Sequence, residues 1–185
     1  MQPVALTTER LILRQWSKED LEPFAQLNGN PQVMEFFPAL LTQLQSDALA
    51  VRFKTGIELS GWGMWAATLK KPDVFIGFIG LLQVDPPYPF APAVEVGWRL
   101  LPAYWGQGLA TEGALASLHF GFTTLALSEI VSMTAVQNTR SRHVMERIGM
   151  HFSGEFDHPK LPPESPLRRH VLYRITRSES LFPEK

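Results

Sequence analysis

The stretch Trp98-Arg-Leu-Leu-Pro-Ala-Tyr-Trp-Gly-Gln-Gly-Leu-Ala-Thr-Glu112 has the pattern of a buried strand that ends in a loop and is followed by a helix. Gly106 and Gly108 have no side chain, so the backbone can turn sharply there and a ligand can approach it closely. The helix that follows directs free N–H groups and the positive end of its dipole back at the loop. This arrangement binds an anion such as a diphosphate, and the stretch is therefore the candidate ligand site.

The composition of this glycine loop excludes two common nucleotide sites. It has no lysine where a P-loop carries one, so a nucleoside triphosphate is not expected. It also lacks the third small residue and the later acidic residue of a dinucleotide fingerprint. Taken alone, two glycines before a helix are equally compatible with an ordinary strand–helix turn, and that alternative stays open at this point.

Patterns on either side of the loop predict a single domain over residues 1–185 in which strands and helices are mixed. Strands are expected at residues 9–16, 64–69, 74–84, 93–101, 130–136, 151–156 and 169–176. Helices are expected to begin at Ser17, Thr42, Leu109 and Asn138. Strand–helix–strand units favour parallel pairing, whereas the hairpin at 70–73 favours antiparallel pairing. We therefore expect a mixed α/β sheet with helices on both faces.

Two of these helices show apolar spacing that predicts which side faces the core. The helix from Thr42 is expected to bury a stripe of Leu44, Ala48, Val51 and Ile57. The helix from Leu109 is expected to bury a stripe of Ala110, Ala114, Leu118, Phe122 and Leu125. The proline-rich segments 85–92 and 157–166 are expected to be loops, with Tyr88 and Phe90 projecting from the first.

Composition and charge narrow the possible classes of function. The net charge is -1, which gives little support to nucleic-acid binding. The chain has no cysteine, which excludes disulfides, thiolate metal sites and a cysteine nucleophile and fits a reducing compartment. No apolar run is long enough to cross a membrane, and the N-terminus lacks the apolar core of a signal peptide, so we expect a cytoplasmic location. The histidines are scattered, so no metal site is expected.

A second pattern, Asn138-Thr-Arg-Ser141-Arg-His-Val-Met145-Glu-Arg-Ile-Gly149-Met150, follows a predicted strand and opens a helix. Together the two patterns resemble the GNAT superfamily of N-acetyltransferases. Residues 105–110 match its acetyl-CoA pyrophosphate loop, and residues 138–150 match its Asn-x-x-Ser/Ala…Gly-Phe helix. The segments 6–14 and 95–98, together with Pro31, are similar to the branch that contains the ribosomal-protein N-terminal acetyltransferases.

The resemblance implies a fold and a reaction. The fold would be a mostly antiparallel mixed sheet with a splayed central strand pair, with acetyl-CoA lying between strands 93–101 and 130–136. The reaction would move the acetyl group of acetyl-CoA directly to a primary amine, on a protein N-terminus or on a small molecule. Neither a metal nor nucleic acid nor a membrane is implied, and a homodimer is possible. The implied cofactor contacts are Leu100, Leu101, Gln107, Gly108, Leu109, Ala110, Thr111 and Asn138.

The resemblance also implies catalytic roles, and each role has an alternative. Glu95 is the candidate base that takes the proton of the amine, although it could instead pair with Arg99 in a structural ion pair. Ser141 is the candidate acid for the departing thiolate, although it could bond only to the helix backbone.

The chain departs from the family pattern at two positions. Trp105 stands where the loop pattern begins with a basic or amide residue, and Met145 stands where many members carry a tyrosine that serves as the acid. The second departure keeps open a non-catalytic protein that binds CoA as a sensor or interaction module. A structural α/β protein without affinity for CoA is a third possibility.

Overall fold

The computed structural model describes residues 2–180 of the chain, which form a mixed α/β fold around one sheet. The helices are α1 (Leu21–Asn28), α2 (Gln43–Ser60), α3 (Leu109–Thr123) and α4 (Thr139–Arg147). The strands are β1 (Leu6–Thr7), β2 (Leu11–Arg14), β3 (Met64–Lys70), β4 (Asp73–Val84), β5 (Ala93–Leu100), β6 (Glu129–Ala135), β7 (His151–Asp157) and β8 (Arg169–Thr176). The mixed α/β class predicted from the sequence is confirmed, and the short strand β1 is an addition to it.

The strands follow the order β1-β2-β3-β4-β5-β6-β8-β7 in one sheet of eight. Pairing is antiparallel between β1 and β2, β2 and β3, β3 and β4, β6 and β8, and β7 and β8. Strands β5 and β6 run parallel and place Glu95 opposite Val131. The mostly antiparallel sheet is therefore as predicted, and the splay of the central pair stays a prediction.

By its internal contacts the chain divides into two compact units. The first unit contains the residues up to Leu81 together with Gly97–Ser117. The second unit contains Leu82–Val96 together with the residues from Leu118 onward. That residues 1–185 act as a single domain stays a prediction.

An aromatic cluster forms the centre of the first unit. The Trp16 and Phe24 rings lie 4.7 Å apart between centroids, and Phe53 and Phe78 lie 5.2 Å apart in the same cluster. The indole N–H of Trp16 donates to the carbonyl of Met64 at 2.8 Å, so its one polar atom is satisfied inside the core. Strand β4 is buried without a break over residues 75–81, as expected for a strand covered on both faces.

The predicted core stripe of α2 is wrong except at Ile57, which is fully buried. Leu44 is 79% exposed and Val51 is 60% exposed, whereas the buried residues of this helix are Ser46, Ala50, Phe53 and Ile57. The buried set also follows helical spacing, but it begins with a polar residue that a search for apolar positions passes over. Asn28 donates its side-chain N–H to the Ser46 hydroxyl at 2.9 Å, which is why a serine can lie in this core.

A smaller apolar cluster forms part of the second unit. Val131, Phe156 and Leu172 are buried in it, and Tyr88, Phe90, Ala93 and Met133 pack against them. Tyr88 and Phe90 come from the proline-rich segment 85–92, which is irregular as predicted. The two rings fold onto the cluster rather than project from the loop, since their centroids lie 6.5 and 5.1 Å from that of Phe156.

Candidate active site

The glycine loop has the backbone conformation that the sequence predicts. Gly106 and Gly108 have φ of 72° and 76°, in the left-handed region that favours glycine. Helix α3 begins directly after the loop, and the N–H of Glu112 donates to the carbonyl of Gly108 at 3.0 Å. Among residues 2–180, no group accepts a hydrogen bond from the backbone N–H groups of residues 107–111. These donors are available to an anion at the helix N-terminus.

Two residues from the turn between β1 and β2 brace this loop. The Arg10 guanidinium donates to Glu112 Oε2 at 2.6 Å and to the carbonyl of Gln107 at 2.9 Å. The Thr8 hydroxyl donates to Glu112 Oε1 at 2.5 Å, and the backbone N–H of Arg10 donates to the same oxygen at 2.7 Å. Sequence reasoning missed Arg10 and Thr8 because about a hundred residues separate them from the loop.

The contacts of Glu112 with Thr8 and Arg10 are electrostatic, as the pKa of the Glu112 carboxyl shows. Partial burial alone would raise the pKa of Glu112, but hydrogen bonds from Thr8 and Arg10 outweigh it and lower the pKa. Glu112 is therefore ionised at neutral pH, and its charge holds Arg10 against the loop. Negative charge in the first turn of a helix also interacts favourably with the helix dipole.

The backbone of residues 100 and 101 is only partly available to a ligand. The N–H of Leu101 donates to the carbonyl of Ile76 at 2.9 Å, and its carbonyl accepts from the N–H of Tyr104 at 3.0 Å. The carbonyl of Leu100 accepts from the indole N–H of Trp105 at 2.8 Å. Trp105 thus supports the strand end from the loop position where the family pattern has a basic or amide residue.

Glu95 in β5 is the most perturbed acid of the second unit. It is half-buried, and burial raises its pKa to about 8. Its carboxyl oxygens have no hydrogen-bond or ion-pair partner among the described residues, so the alternative of a structural ion pair is not what the structure shows. A carboxyl that solvent still reaches, and that the protein holds partly protonated at neutral pH, has the properties of a general base.

Tyr88 and His158 form a polar pair beside this acid. The Tyr88 hydroxyl lies 3.1 Å from His158 Nε2, and the His158 Nδ1 accepts from the N–H of Lys160 at 3.3 Å. The pKa of His158 is lowered to about 4, first by burial and then by the neighbouring side chains of His170 and Lys160. The ring is therefore neutral at neutral pH. Because Nδ1 accepts, the ring proton lies on Nε2 and is donated to the Tyr88 oxygen. Burial first and the charge of Glu95 second raise the pKa of Tyr88, which keeps its hydroxyl protonated.

The start of α4 holds the predicted cap and the candidate acid. Asn138 Oδ1 accepts from the N–H of Ser141 at 3.2 Å, and its amide N–H donates to the Thr134 hydroxyl at 2.9 Å. The Ser141 hydroxyl has no partner among residues 2–180, so the alternative in which it only bonds the helix backbone is not observed. Met145 is fully buried.

The described residues hold no group of three or more histidine, aspartate or glutamate side chains that could bind a metal ion. None of the helices within residues 2–180 has the length and apolarity that a membrane span requires.

Three comparisons bear on this arrangement. The sequence model of the family described as "Acetyltransferase (GNAT) domain" matches residues 10–151. A curated relative, the FsC-acetyl coenzyme A-N(2)-transacetylase of Aspergillus fumigatus, is 30% identical over 188 residues, which cover 97% of this chain and 79% of that protein.

Solved structures share the fold over almost the whole chain. A GNAT-family acetyltransferase from Bacillus anthracis has a TM-score of 0.80 at 24% identity, covering 95% of this chain and 100% of that one. Mycobacterium smegmatis RimJ in complex with CoA-disulfide has a TM-score of 0.77 at 18% identity, covering 97% of this chain and 91% of that one. Both likenesses are below 25% identity and are likenesses of fold.

Proposed function

The chain belongs to the GNAT acetyltransferase family, and from this premise we propose that it transfers the acetyl group of acetyl-CoA to a primary amine by direct attack of the amine on the thioester. The observation that carries the proposal is the row of unpartnered N–H groups at residues 107–111, after two left-handed glycines in a braced loop. Acetyl-CoA is the cosubstrate, and its diphosphate is the anion that such a helix N-terminus accommodates.

Five residues supply the donors for the diphosphate: Gln107, Gly108, Leu109, Ala110 and Thr111. Of the two strand residues predicted to pair with the pantetheine amides, Leu100 is better suited than Leu101. Successive residues of a strand direct their backbone groups to opposite edges, and the N–H of Leu101 already points at Ile76. The N–H of Leu100 therefore points to the other edge, where it can donate to the pantetheine arm or polarise the thioester carbonyl.

Glu95 removes the proton from the incoming amine, directly or through one water. Amines are mostly protonated at neutral pH, so attack on the thioester requires a base. Burial brings the pKa of Glu95 to about 8, which is far closer to that of an amine than an exposed carboxylate would be. Proton transfer from the ammonium group is correspondingly easier.

Ser141 donates a proton to the departing CoA thiolate and regains one from the nitrogen of the tetrahedral intermediate, which loses its second proton as the amide forms. Its hydroxyl is unpartnered in the described residues, and the Asn138 cap holds its backbone. A serine is a weak acid, but holding the amine and the thioester together can supply about 7–11 kcal/mol of the barrier, so the reaction does not depend on a strong acid. Asn138 is the predicted orienting residue for the cofactor arm, and this role comes in addition to its cap.

The acceptor is a primary amine on a protein N-terminus or on a small molecule, and the protein acts in the cytoplasm, as a monomer or a homodimer. The name of the Aspergillus fumigatus relative describes transfer from acetyl coenzyme A to a nitrogen, which supports the same type of reaction here. The proline-rich segments 85–92 and 157–166 carry Tyr88 and His158 near Glu95, which supports a part for them in acceptor selection.

The proposal is tested by thermal unfolding with and without acetyl-CoA, beside CoA, ATP and NAD. A ligand that binds only the folded protein raises the unfolding midpoint. We expect a rise with acetyl-CoA and CoA alone, followed by formation of an acetylated amine in an acceptor screen. No rise at millimolar acetyl-CoA would contradict the proposal. A rise without acetylation of any amine would favour a CoA-binding sensor, which the buried Met145 at the tyrosine position makes the second candidate.

A further inference from the structure

Arg99 in β5 lies in an unusual environment within the first unit. Its Nη1 donates to Asn28 Oδ1 at 2.6 Å, and its guanidinium carbon lies 4.0 Å from the centroid of Phe37 and 5.2 Å from that of Phe78. Contacts with two aromatic rings and one neutral amide hold the side chain in place. They stabilise a positive charge only in part, because none of them is an anion.

The charge on Arg99 has no counter-ion among residues 2–180. Within this described part of the chain, its Nε is shielded from solvent and has no hydrogen-bond partner, and no group accepts from its Nη2. Burial lowers the pKa of Arg99 to about 10, which still leaves it protonated at neutral pH. Buried charges are ordinarily paired, since an unpaired one is costly to keep out of water.

The unpartnered side of the guanidinium is the side suited to a carboxylate, which must displace the protein atoms that now cover Nε. Asn28 is itself buried, and its amide N–H donates to Ser46, so its oxygen is fixed toward Arg99. This contact occupies Nη1 and leaves Nε and Nη2, whose parallel N–H bonds can grip both oxygens of one carboxylate. The protein therefore presents half of a bidentate ion pair whose other half is absent from residues 2–180.

We propose that Arg99 binds a carboxylate of the acceptor, so that the acceptor is an amine that also carries a carboxylate, such as an amino acid. This rests on the proposed function, because Arg99 directly precedes Leu100, whose N–H is assigned to the pantetheine arm. A polyamine, with a second cation in place of the carboxylate, would be repelled by the guanidinium. The phosphates of CoA offer related oxyanion chemistry, and the test must separate these two sources.

The test compares acceptors that differ only by the carboxylate: L-phenylalanine with phenethylamine, and L-lysine with cadaverine. Acetyl transfer is measured for the wild type, Arg99→Met and Arg99→Lys. Arg52→Met serves as the matched control, because Arg52 is an exposed arginine of α2 beside another phenylalanine ring. The unfolding midpoint and the Kd for CoA of each variant show that it is folded. If Arg99→Met does not fold, Arg99→Lys keeps the charge, loses the fork and carries the test.

We expect kcat/KM of the wild type to favour the carboxylate member of a pair by about 10- to 100-fold. Arg99→Met should bring this ratio close to one, Arg99→Lys should leave an intermediate ratio, and Arg52→Met should keep the wild-type ratio. Equal rates for both members in the wild type, or an unchanged ratio in Arg99→Met, would overturn the proposal. A weaker Kd for CoA but not for dephospho-CoA in Arg99→Met would assign the site to the cofactor's phosphate and also overturn it.

Failure of the proposed function gives a different result. If no amine is acetylated, calorimetry on the CoA-bound protein compares N-acetyl-L-phenylalanine with N-acetyl-L-phenylalanine amide. Tighter binding of the acid in the wild type, lost in Arg99→Met, would support the carboxylate site without the transfer reaction. Equal or absent binding of the two compounds would overturn the site as well.

Discussion

Glu95 determines the pH dependence of the proposed reaction. Its raised pKa of about 8 means that the active, ionised form is the minority at pH 7 and becomes the majority as the pH passes 8. We expect kcat/KM to rise from pH 7 to about pH 8 and to level off above it, which gives a change of slope near pH 8. Glu95→Gln should remove that feature and lower kcat by about 10²-fold or more, as loss of a general base does.

A matched control for this variant is Glu22→Gln, an exposed acid in the first turn of α1. It should keep both the wild-type rate and the wild-type pH profile. If Glu95→Gln retained the change of slope near pH 8, the proton would leave the amine by another route and the role of Glu95 would have to be withdrawn.

Ser141 and Met145 test where the acid of the reaction lies. Ser141→Ala should lower kcat by about 10²-fold and leave the Kd for acetyl-CoA unchanged, since only a proton donor is removed.

Met145→Tyr should not replace this acid, because position 145 is fully buried and the larger ring would cost about 1–3 kcal/mol in the packed core. Single-turnover kinetics and thermal unfolding measure both effects. A faster reaction in Met145→Tyr would show that the side chain at this position reaches the thiolate.

At the scale of elements, the glycine loop is the proposed binding site for the diphosphate of acetyl-CoA. Gly108→Ala places a side chain at φ of 76°, which costs about 1–2 kcal/mol and moves the donors of the loop. We expect a weaker affinity for acetyl-CoA by calorimetry. Gly56→Ala in α2 is the control, because a Cβ there meets no atom within 4 Å. It should stabilise the helix by about 0.5–1 kcal/mol and keep the affinity. Equal affinities in all three proteins would contradict the role of the loop.

Local sequence patterns predicted most of the elements, because turns, caps and glycine conformations depend on neighbouring residues. The Thr42 cap is an example, since Gln45 donates its backbone N–H to the Thr42 hydroxyl at 3.3 Å. The face of α2 could not be predicted in the same way. Ser46 is a core residue only because Asn28, on another helix, bonds to it.

The candidate site residues also divide into those whose role is set by neighbouring residues and those whose role is set by distant contacts. Glu95 and the glycine loop were predicted, since their chemistry is visible in a short segment. Arg10 was not, because its part in the site comes from an ion pair with Glu112 across 102 residues of sequence. The unpaired side of Arg99 was equally hidden, because the absence of a counter-ion among residues 2–180 becomes visible only when its neighbours in that range are placed.

At the scale of the whole molecule, each compact unit supplies one part of the proposed chemistry. The first unit contains the braced loop with its free N–H groups, and the second contains the acid with the raised pKa. Binding of acetyl-CoA alone would need only the loop. Transfer needs the acid as well, and for that reason catalysis, rather than binding, is the property that separates an acetyltransferase from a CoA sensor.

The most direct test is release of free CoA thiol from acetyl-CoA, followed in real time with and without a panel of primary amines. The wild type is expected to release thiol at a rate that depends on the amine, with an acetylated amine detected by mass spectrometry. Glu95→Gln should bind acetyl-CoA with the same affinity and release thiol at least about 10²-fold more slowly. Tight binding of acetyl-CoA by the wild type, with no thiol release that depends on any amine, would contradict the assignment as an acetyltransferase.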